Sequence, residues 1–297
     1  MYFIIYERSI IFMSRKIIFF DADGTIINKT FISSQTVASV NQLKMNGHIP
    51  VLATGRARKS IQQIVDILDL KYLICSSGNH IIINDQVIFQ NYLSYNELQE
   101  IVCYFDLFGL RYTLECADFN YIQKGTEDLH LKRMMFLNRG EIDIENLKES
   151  FQQNYRFIKD LKSLKVQKIH WYEDPIMYYE NPSPLDYQNI FDYFHNKYQV
   201  VPIMGNPLSI HGEISKKGVS KKSGMEKVLE YFHADIIDTY AIGDDYNDLE
   251  MLQYAKHTIA MGQAPREVKE VCEFITDDIY HEGFTKAMNH YQLINGD

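Results

Sequence analysis

Lys16-Ile17-Ile18-Phe19-Phe20-Asp21-Ala22-Asp23-Gly24-Thr25 contains four consecutive apolar residues, then two carboxylates and a glycine. A short, continuous apolar run bounded by a turn signal predicts a strand buried on both faces. Such strands belong to parallel sheets, and open α/β sheets bind ligands just beyond the carboxyl ends of their strands. Residues i and i+2 of a strand point to the same side, so Asp21 and Asp23 are expected to converge on one spot with Ala22 turned away. Two carboxylates that close share either a proton or a cation. Gly24 can take the positive φ needed to leave the strand sharply. The bland alternative is an ordinary Asp-Gly turn, for which both residues are common. The longer Asp-x-Asp-Gly-Thr pattern is rarer and points to function once partners appear downstream.

Working outward, Ser33 or Ser34 can cap a helix carrying Val37, Val40 and Leu43, which Gly47 ends. Ile49-Pro50-Val51-Leu52-Ala53 reads as a second buried strand, ending at Thr54-Gly55-Arg56. Ile61, Ile64, Val65 and Leu68 form an amphipathic stripe, and Tyr72-Leu73-Ile74-Cys75 is a third strand. This alternation predicts a doubly wound, Rossmann-like α/β unit with a parallel sheet. The pattern then changes. A hairpin is predicted from 81–83 and 87–89, and a capping box at Ser94 and Glu97 opens a helix with Leu98, Ile101, Val102 and Phe105. Strands at 111–116, 119–123, 164–172, 199–203 and 208–214 mix with helices at 142–153 and from Ser183-Pro184 onward. After that the α/β pattern resumes. Met225, Val228, Leu229 and Phe232 share a helix face, and Thr239-Tyr240-Ala241-Ile242-Gly243 is a strand ending at Asp244-Asp245. A short helix near 247–254, strands at 257–261 and 273–276, and helices at 265–271 and 284–293 follow. The expected organisation is one α/β core, 13–85 plus 214–297, with an α+β domain inserted at 86–213.

The bulk properties exclude several classes. A chain of 297 residues with 46% hydrophobic residues suits a globular protein with a sizeable core. A net charge of −9 argues against a nucleic-acid or membrane-surface binder, since no basic excess exists to neutralise phosphates. Cys75, Cys103, Cys116 and Cys272 show no C-x-x-C spacing, which fits a reducing, cytoplasmic compartment rather than a disulfide framework or zinc site. No stretch reaches the roughly 18 apolar residues needed to span a bilayer. Residues 1–12 are apolar but interrupted by Glu7 and Arg8, and they lack a basic leader and a cleavage site. They are expected to be an N-terminal extension that adds little to the fold, with Met13 an alternative or true start.

Four stations recur at strand or helix ends of the core: Asp21/Asp23, Thr54, Lys221 and Asp244/Asp248. Together they supply two carboxylates, a hydroxyl, an ammonium and a second carboxylate pair. That set suits Mg²⁺ with a phosphate, because hard carboxylate oxygens bind Mg²⁺ while it also takes a phosphate oxygen. The metal and Lys221 would neutralise charge that gathers on a transferring phosphoryl group.

Asp21-Ala22-Asp23-Gly24-Thr25, Ala53-Thr54-Gly55-Arg56, Gly218-Val219-Ser220-Lys221 and Gly243-Asp244-Asp245-Tyr246-Asn247-Asp248 resemble, in order, the four motifs of the haloacid dehalogenase superfamily. The Asp-rich last motif, Ala260-Met261-Gly262 after it, and the large insertion between the second and third motifs resemble the Cof-type phosphatases. The resemblance implies that the insertion is a cap, that Asp21 attacks phosphorus to form an aspartyl-phosphate, and that Asp23 protonates the leaving oxygen and then activates water. It implies further that Thr54 and the Gly55 N–H hold phosphoryl oxygens, that Lys221 bridges Asp21 and the phosphate, and that Asn247 touches phosphate. Mg²⁺ would be held by Asp21, the Asp23 backbone carbonyl and Asp244, with Asp248 orienting a metal-bound water.

Several positions depart from the family pattern or admit a plainer role. Gln263 stands where an asparagine is usual and His281 in His281-Glu282-Gly283 is unusual, and neither position is catalytic; Lys222 replaces a glycine. Lys216, Lys217 and Lys222 compete for the role given to Lys221. Asp245 is expected to cap the following helix rather than ligate metal. His170-Trp171-Tyr172 reads as a cap strand with an aromatic core face rather than a cleft lining. His130, Lys132 and Arg133 read as a solvated loop before an anion site, and His80 and His211 as packing or surface residues. The expected function is a Mg²⁺-dependent phosphomonoester hydrolase acting on small phosphorylated metabolites such as sugar or cofactor phosphates, as a monomer or homodimer. The alternatives are phosphomutase-like transfer between sugar positions and a non-catalytic phosphometabolite sensor on the same fold.

Overall fold

The computed structural model describes residues 15–28, 31–128, 131, 144–172, 187–202 and 211–294. His130, Lys132 and Arg133, the start at Met13, residues 1–12 and the Ser183-Pro184 helix start lie outside them. The apolar run of the opening motif forms β1 (Ile17–Phe20), with all four residues buried. The next apolar runs form β2 (Ile49–Ala53) and β3 (Tyr72–Cys75), followed by β4 (His80–Ile83) and β5 (Gln86–Gln90). The turn between β4 and β5 is Asn84-Asp85, at φ +50° and +63°. Two consecutive left-handed residues match the twist of a tight hairpin, and Asn and Asp tolerate that conformation.

The chain leaves this sheet after Gln90. It then builds a second sheet from β6 (Arg111–Cys116), β7 (Asn120–Ile122), β8 (Tyr155–Phe157), β9 (Val166–Tyr172), β10 (Tyr198–Pro202) and β11 (His211–Lys216). It returns to the first sheet with β12 (Thr239–Gly243), β13 (His257–Ala260) and β14 (Phe274–Ile275). The crossings fall a few residues later than the predicted boundaries at 85/86 and 213/214. β5 still pairs with β4, and β11 still pairs with β9 and β10. The three-residue strand β8, paired in parallel with β7, is absent from the sequence reading: three residues are too few to show a period.

The larger sheet runs β14-β13-β12-β1-β2-β3-β4-β5. Its first six strands are mutually parallel, and the last two add an antiparallel edge. Counted in order of appearance, the parallel strands lie 3-2-1-4-5-6, the doubly wound arrangement. Its ligand crevice opens where the order reverses, which here is between β1 and β12. The smaller sheet, β10-β11-β9-β6-β7-β8, is antiparallel apart from its β7/β8 edge.

Nine helices are described: α1 (Ser34–Met45), α2 (Gln62–Leu68), α3 (Tyr95–Leu107), α4 (Ile144–Asn154), α5 (Tyr187–Phe194), α6 (Lys221–Phe232), α7 (Leu249–Tyr254), α8 (Arg266–Glu270) and α9 (Gly283–His290). Alternate residues of β1 serve opposite layers. Ile18 and Phe20 pack with Val40, Leu43, Leu68 and Phe284 of α1, α2 and α9. Ile17 and Phe19 pack with Met225, Val228, Met251 and Val268 of α6, α7 and α8. Each such fully buried side chain contributes about 1.5–3 kcal/mol, so the period-2 alternation of β1 strongly resists a register slip. A third core lies against the smaller sheet, with Phe105 and Phe194 of α3 and α5 meeting Leu114, Ile169, Trp171 and Ile214.

The sequence-level caps hold with their partners resolved. Ser33, not Ser34, caps α1, accepting from Thr36 N at 3.0 Å. Ser94 and Glu97 form both halves of the capping box on α3. No helix among the described residues is long and apolar enough to cross a membrane.

Candidate active site

β1 ends at Phe20, and the Asp21 N–H still donates to Ile242 O of β12 at 3.1 Å. Asp21 is therefore held at the switch point, with only 5% of its surface exposed. Lys221 is the first residue of α6, and Ser220 caps that helix. Its buried ammonium donates to Asp21 Oδ1 at 2.5 Å and Asp248 Oδ1 at 2.6 Å. The other Asp248 oxygen accepts the N–H groups of Asp244 at 3.0 Å and Asp245 at 3.2 Å. Asp248 thus ties the loop after β12 to α6. One oxygen from each of Asp21, Asp244 and Asp248 lies within 4.8 Å of the others.

Three carboxylates and one ammonium leave net negative charge in a dry place, and the acidities reflect it. Burial raises the Asp21 carboxyl well above its usual range; Lys221 pulls it down, while Asp248, Asp244 and Asp23 push it up again. Burial, followed by Asp248 and Asp245, raises Asp244 to about 7. Burial alone would lower Lys221, but Asp21 and Asp248 outweigh it and hold the ammonium charged.

Asp23 does not join this group through its carboxylate. Its side chain is 54% exposed and forms a bidentate pair with the Arg56 guanidinium. Asp21 and Asp23 take different partners because the ladder to β12 ends with the Asp21 N–H. The N–H groups of Thr25, Ile26 and Ile27 all turn back to Ala22 O, so strand alternation no longer applies at residue 23. Both carboxylates nevertheless line one cavity of about 820 Å³, with Gly55, Asp244 and Asn247.

Thr54 follows β2, and its N–H donates to Ile74 O at 2.8 Å. Its hydroxyl oxygen accepts the Arg56 N–H at 3.1 Å. Thr54, Lys221 and Asp248 are packed immediately behind the groups that line the cavity. Of the competing lysines, Lys216 reaches Tyr92 O and Glu97, Lys217 reaches His195 O, and Lys222 pairs with Glu226. Only Lys221 among these four meets Asp21. Asp245 caps the turn after β12, accepting from Tyr246 N at 2.8 Å. Trp171 and Tyr172 are fully buried in the smaller sheet and do not line the cavity. His80 is buried, and burial, then Arg58, lower it to about 4.

Four participants escaped the sequence reading. Arg56 was visible in the second motif, but nothing indicated Asp23 as its partner. Lys168, Glu115 and Glu213 come from β9, β6 and β11 of the smaller sheet and line the same cavity. The available signal was two successive polar residues, Gln167-Lys168, in a strand whose remaining residues are apolar or aromatic apart from His170. Gln263 also comes close: its amide donates to Gly24 O at 2.5 Å and to Asp244 Oδ2 at 3.4 Å.

The chain matches the haloacid dehalogenase-like hydrolase family over residues 18–288, and it belongs to that family. It is 26% identical over 294 residues to the putative phosphatase YkrA of Bacillus subtilis, covering 95% of this chain and all of that one. It is 23% identical over 282 residues to the 5-amino-6-(5-phospho-D-ribitylamino)uracil phosphatase YcsE of the same organism, covering 94% and 96% of the two chains. The subclass IIB sugar phosphatase BT4131 superposes with a TM-score of 0.74 at 19% identity, over 94% of this chain and 100% of that one. That likeness establishes the shared fold.

Gly24 gives a local test of the site. It sits at φ +78°, and a Cβ there would lie 2.0 Å from Asp244 Oδ2. Gly24→Ala is expected to displace the Asp244 carboxylate and lower kcat by about 10- to 100-fold, since small misplacements at a reacting centre cost that much. Steady-state kinetics on the purified variant checks it; a wild-type kcat would show that Asp244 does not need its present position.

Proposed function

We propose that the protein is a Mg²⁺-dependent phosphatase that hydrolyses small phosphomonoesters, sugar or cofactor phosphates among them, through an aspartyl-phosphate on Asp21. The observation that carries this is the placement of Asp21, Lys221, Asp248 and Asp244 together at the switch point, with Thr54 at the next strand end. The names of the curated relatives support the reaction class, and the YcsE name supports a small phosphorylated metabolite as substrate.

The donor set fits a hard divalent cation. Three carboxylates lie within reach of one another, and a single ammonium does not balance them. Asp21, Asp244 and the Asp23 backbone carbonyl would hold the ion, with Asp248 behind them. When bound, it supplies positive charge to the phosphoryl oxygens. The remaining chemistry is the chain's own. Lys221 orients Asp21 for attack on phosphorus and bridges toward the phosphoryl group. The Thr54 hydroxyl, the Gly55 N–H and Asn247 hold phosphoryl oxygens. Asp23, once one of its oxygens leaves Arg56 and carries a proton, gives that proton to the leaving oxygen and then takes one from the water that cleaves the acyl phosphate.

In this proposal the larger sheet and its helices form the catalytic core, and the smaller sheet and its helices, inserted between β5 and β12, form the cap. The cavity wall contributed from the smaller sheet sets Glu115, Asn120, Lys168 and Glu213 beside Tyr155 and Val201, which suits a leaving group with hydroxyls on a carbon frame. A cytoplasmic site of action fits the scattered, unpaired cysteines.

Phosphate release from a panel of sugar phosphates, nucleotides, pyridoxal phosphate and flavin mononucleotide tests the proposal. Chelation with EDTA is expected to lower turnover at least about 100-fold and Mg²⁺ to restore it. Mg²⁺ in large excess over its Kd should also raise the melting temperature, because a ligand at about 100 times Kd adds about 2.7 kcal/mol to the native state. Turnover indifferent to EDTA would remove the metal from the reading. An isomerised product without free phosphate would favour the mutase alternative, and no turnover on any ester would favour the sensor.

A further inference from the structure

Lys168 is 2% exposed and comes from the centre of β9, in the smaller sheet. Its ammonium donates to Gly55 O at 2.7 Å and Glu213 Oε1 at 2.5 Å, with Glu115 Oε1 at 3.5 Å. Gly55 belongs to the loop after β2 that carries Thr54 and Arg56. The peptide between Gly55 and Arg56 is gripped from both ends: its carbonyl by Lys168, its N–H by the Thr54 hydroxyl oxygen at 3.1 Å. The flanking carbonyls of Thr54 and Arg56 accept from Ser77 N at 3.0 Å and Ser76 N at 2.9 Å. Three of these holds come from the larger sheet's own loops, and only the Lys168 hold crosses from the smaller sheet.

A buried ammonium is an expensive adhesive. Removing it from water costs several kcal/mol, and apolar residues of similar volume join two surfaces as well or better. Glu115 and Glu213 offset that cost and aim the third proton of the ammonium at Gly55. Glu115 itself is raised to about 7, by burial first and Glu213 further, against the pull of Lys168. A charge placed at that expense, on the one peptide shared by Thr54 and Arg56, has a role in ordering the loop.

We infer that Lys168 is a positioning residue: it fixes the Gly55–Arg56 peptide, and through it the Thr54 hydroxyl and the Arg56–Asp23 pair, so that the site is complete only while the smaller sheet is seated on the larger. This rests on the phosphatase reading above. It assigns the smaller sheet a part in the chemistry, through a residue that contributes by orienting others.

The test is a double-mutant cycle on the full chain with p-nitrophenyl phosphate. Lys168→Met is expected to lower kcat about 10- to 100-fold, the range for loss of a group that orients a catalytic one, while KM stays within about threefold. Lys168→Arg, which keeps the charge and a donor, should recover most of the loss. In a Thr54→Ala background, Lys168→Met should cost little more, because the hydroxyl it positions is gone. Gln199→Ala removes a different bond between β10 and α7, Gln199 Nε2 to Glu250 Oε1 at 3.0 Å, and should leave kcat at wild type. If Lys168→Met fails to fold by circular dichroism, Lys168→Gln takes its place in the cycle. A wild-type kcat in the folded variant, or losses that add fully with Thr54→Ala, overturns the inference while leaving the phosphatase reading intact. A wild type no more active than Asp21→Asn overturns both.

Discussion

Asp21→Asn is expected to lower phosphate release by at least about 10⁴-fold, the scale on which loss of a nucleophile is felt, without unfolding the protein. The amide is nearly isosteric, and its oxygen can still accept from Lys221. Lys221 also keeps Asp248 at 2.6 Å, so the buried ammonium is not stranded. The stability change has a definite sign. Burial raises the folded pKa of Asp21 well above 3.8, so the native state binds its proton more tightly than the unfolded chain does. By linkage, such a group subtracts stability as pH rises from the unfolded value through the folded one. Asparagine has no such titration. In EDTA at neutral pH the variant should therefore melt at the wild-type temperature or above it, which is the trade between stability and function common at active sites. Residual turnover within tenfold of wild type, with the melting curve unchanged, would show that another group attacks phosphorus.

Lys221→Met should damage both activity and fold. Its ammonium is the sole cation bonded to Asp21 and Asp248 among the described residues, and all three side chains are buried. Removing one partner of a buried pair leaves uncompensated charge and costs about 3–5 kcal/mol. Methionine fills most of the volume, so the loss is electrostatic rather than a cavity. Without the ammonium, the downward pull on the Asp21 acidity disappears, and Asp21 holds its proton to higher pH. The acid limb of any residual pH–rate profile should move up, and turnover should fall about 10³-fold, comparable to loss of a charge-stabilising donor. Adding Asp248→Asn to Lys221→Met should recover part of the stability and none of the turnover. Urea denaturation with parallel kinetics measures both, and a denaturation midpoint equal to wild type would show that the cluster holds no strained charge.

The two variants probe different parts of what was legible. The segments around Asp21, Thr54, Lys221 and Asp244 each announce themselves locally, as an apolar strand or a helix start abutting polar residues. Their order along the chain, strand and helix alternating, follows from short-range patterns, whereas the 3-2-1-4-5-6 order across the sheet is a matter of long-range pairing. The caps at Ser33, Ser94 and Asp245 are short-range too: a side chain reaches backbone one to three residues away. The choice among Lys216, Lys217, Lys221 and Lys222 needed the register of α6. Only its first residue, just after the Ser220 cap, faces the switch point, while Lys222 one step on lies beside Glu226.

Asp23 shows where a local rule stops. Alternation holds while the backbone is hydrogen-bonded as strand, and the last such bond to β12 is made by the Asp21 N–H. The carboxylate then takes the nearest cation, Arg56, which lies 33 residues away in sequence. Lys168 shows the wider limit, since its bond to Gly55 spans 113 residues and two sheets. By itself the sequence determined most strands of the larger sheet, their alternation with helices and the chemistry available at the strand ends, because burial periodicity and turn residues act over a few positions. The tertiary structure alone decided which carboxylates cluster, which lysine pairs with them, and that the smaller sheet bonds the loop after β2. Electrostatic pairing depends on distance in space, and no spacing along the chain encodes it.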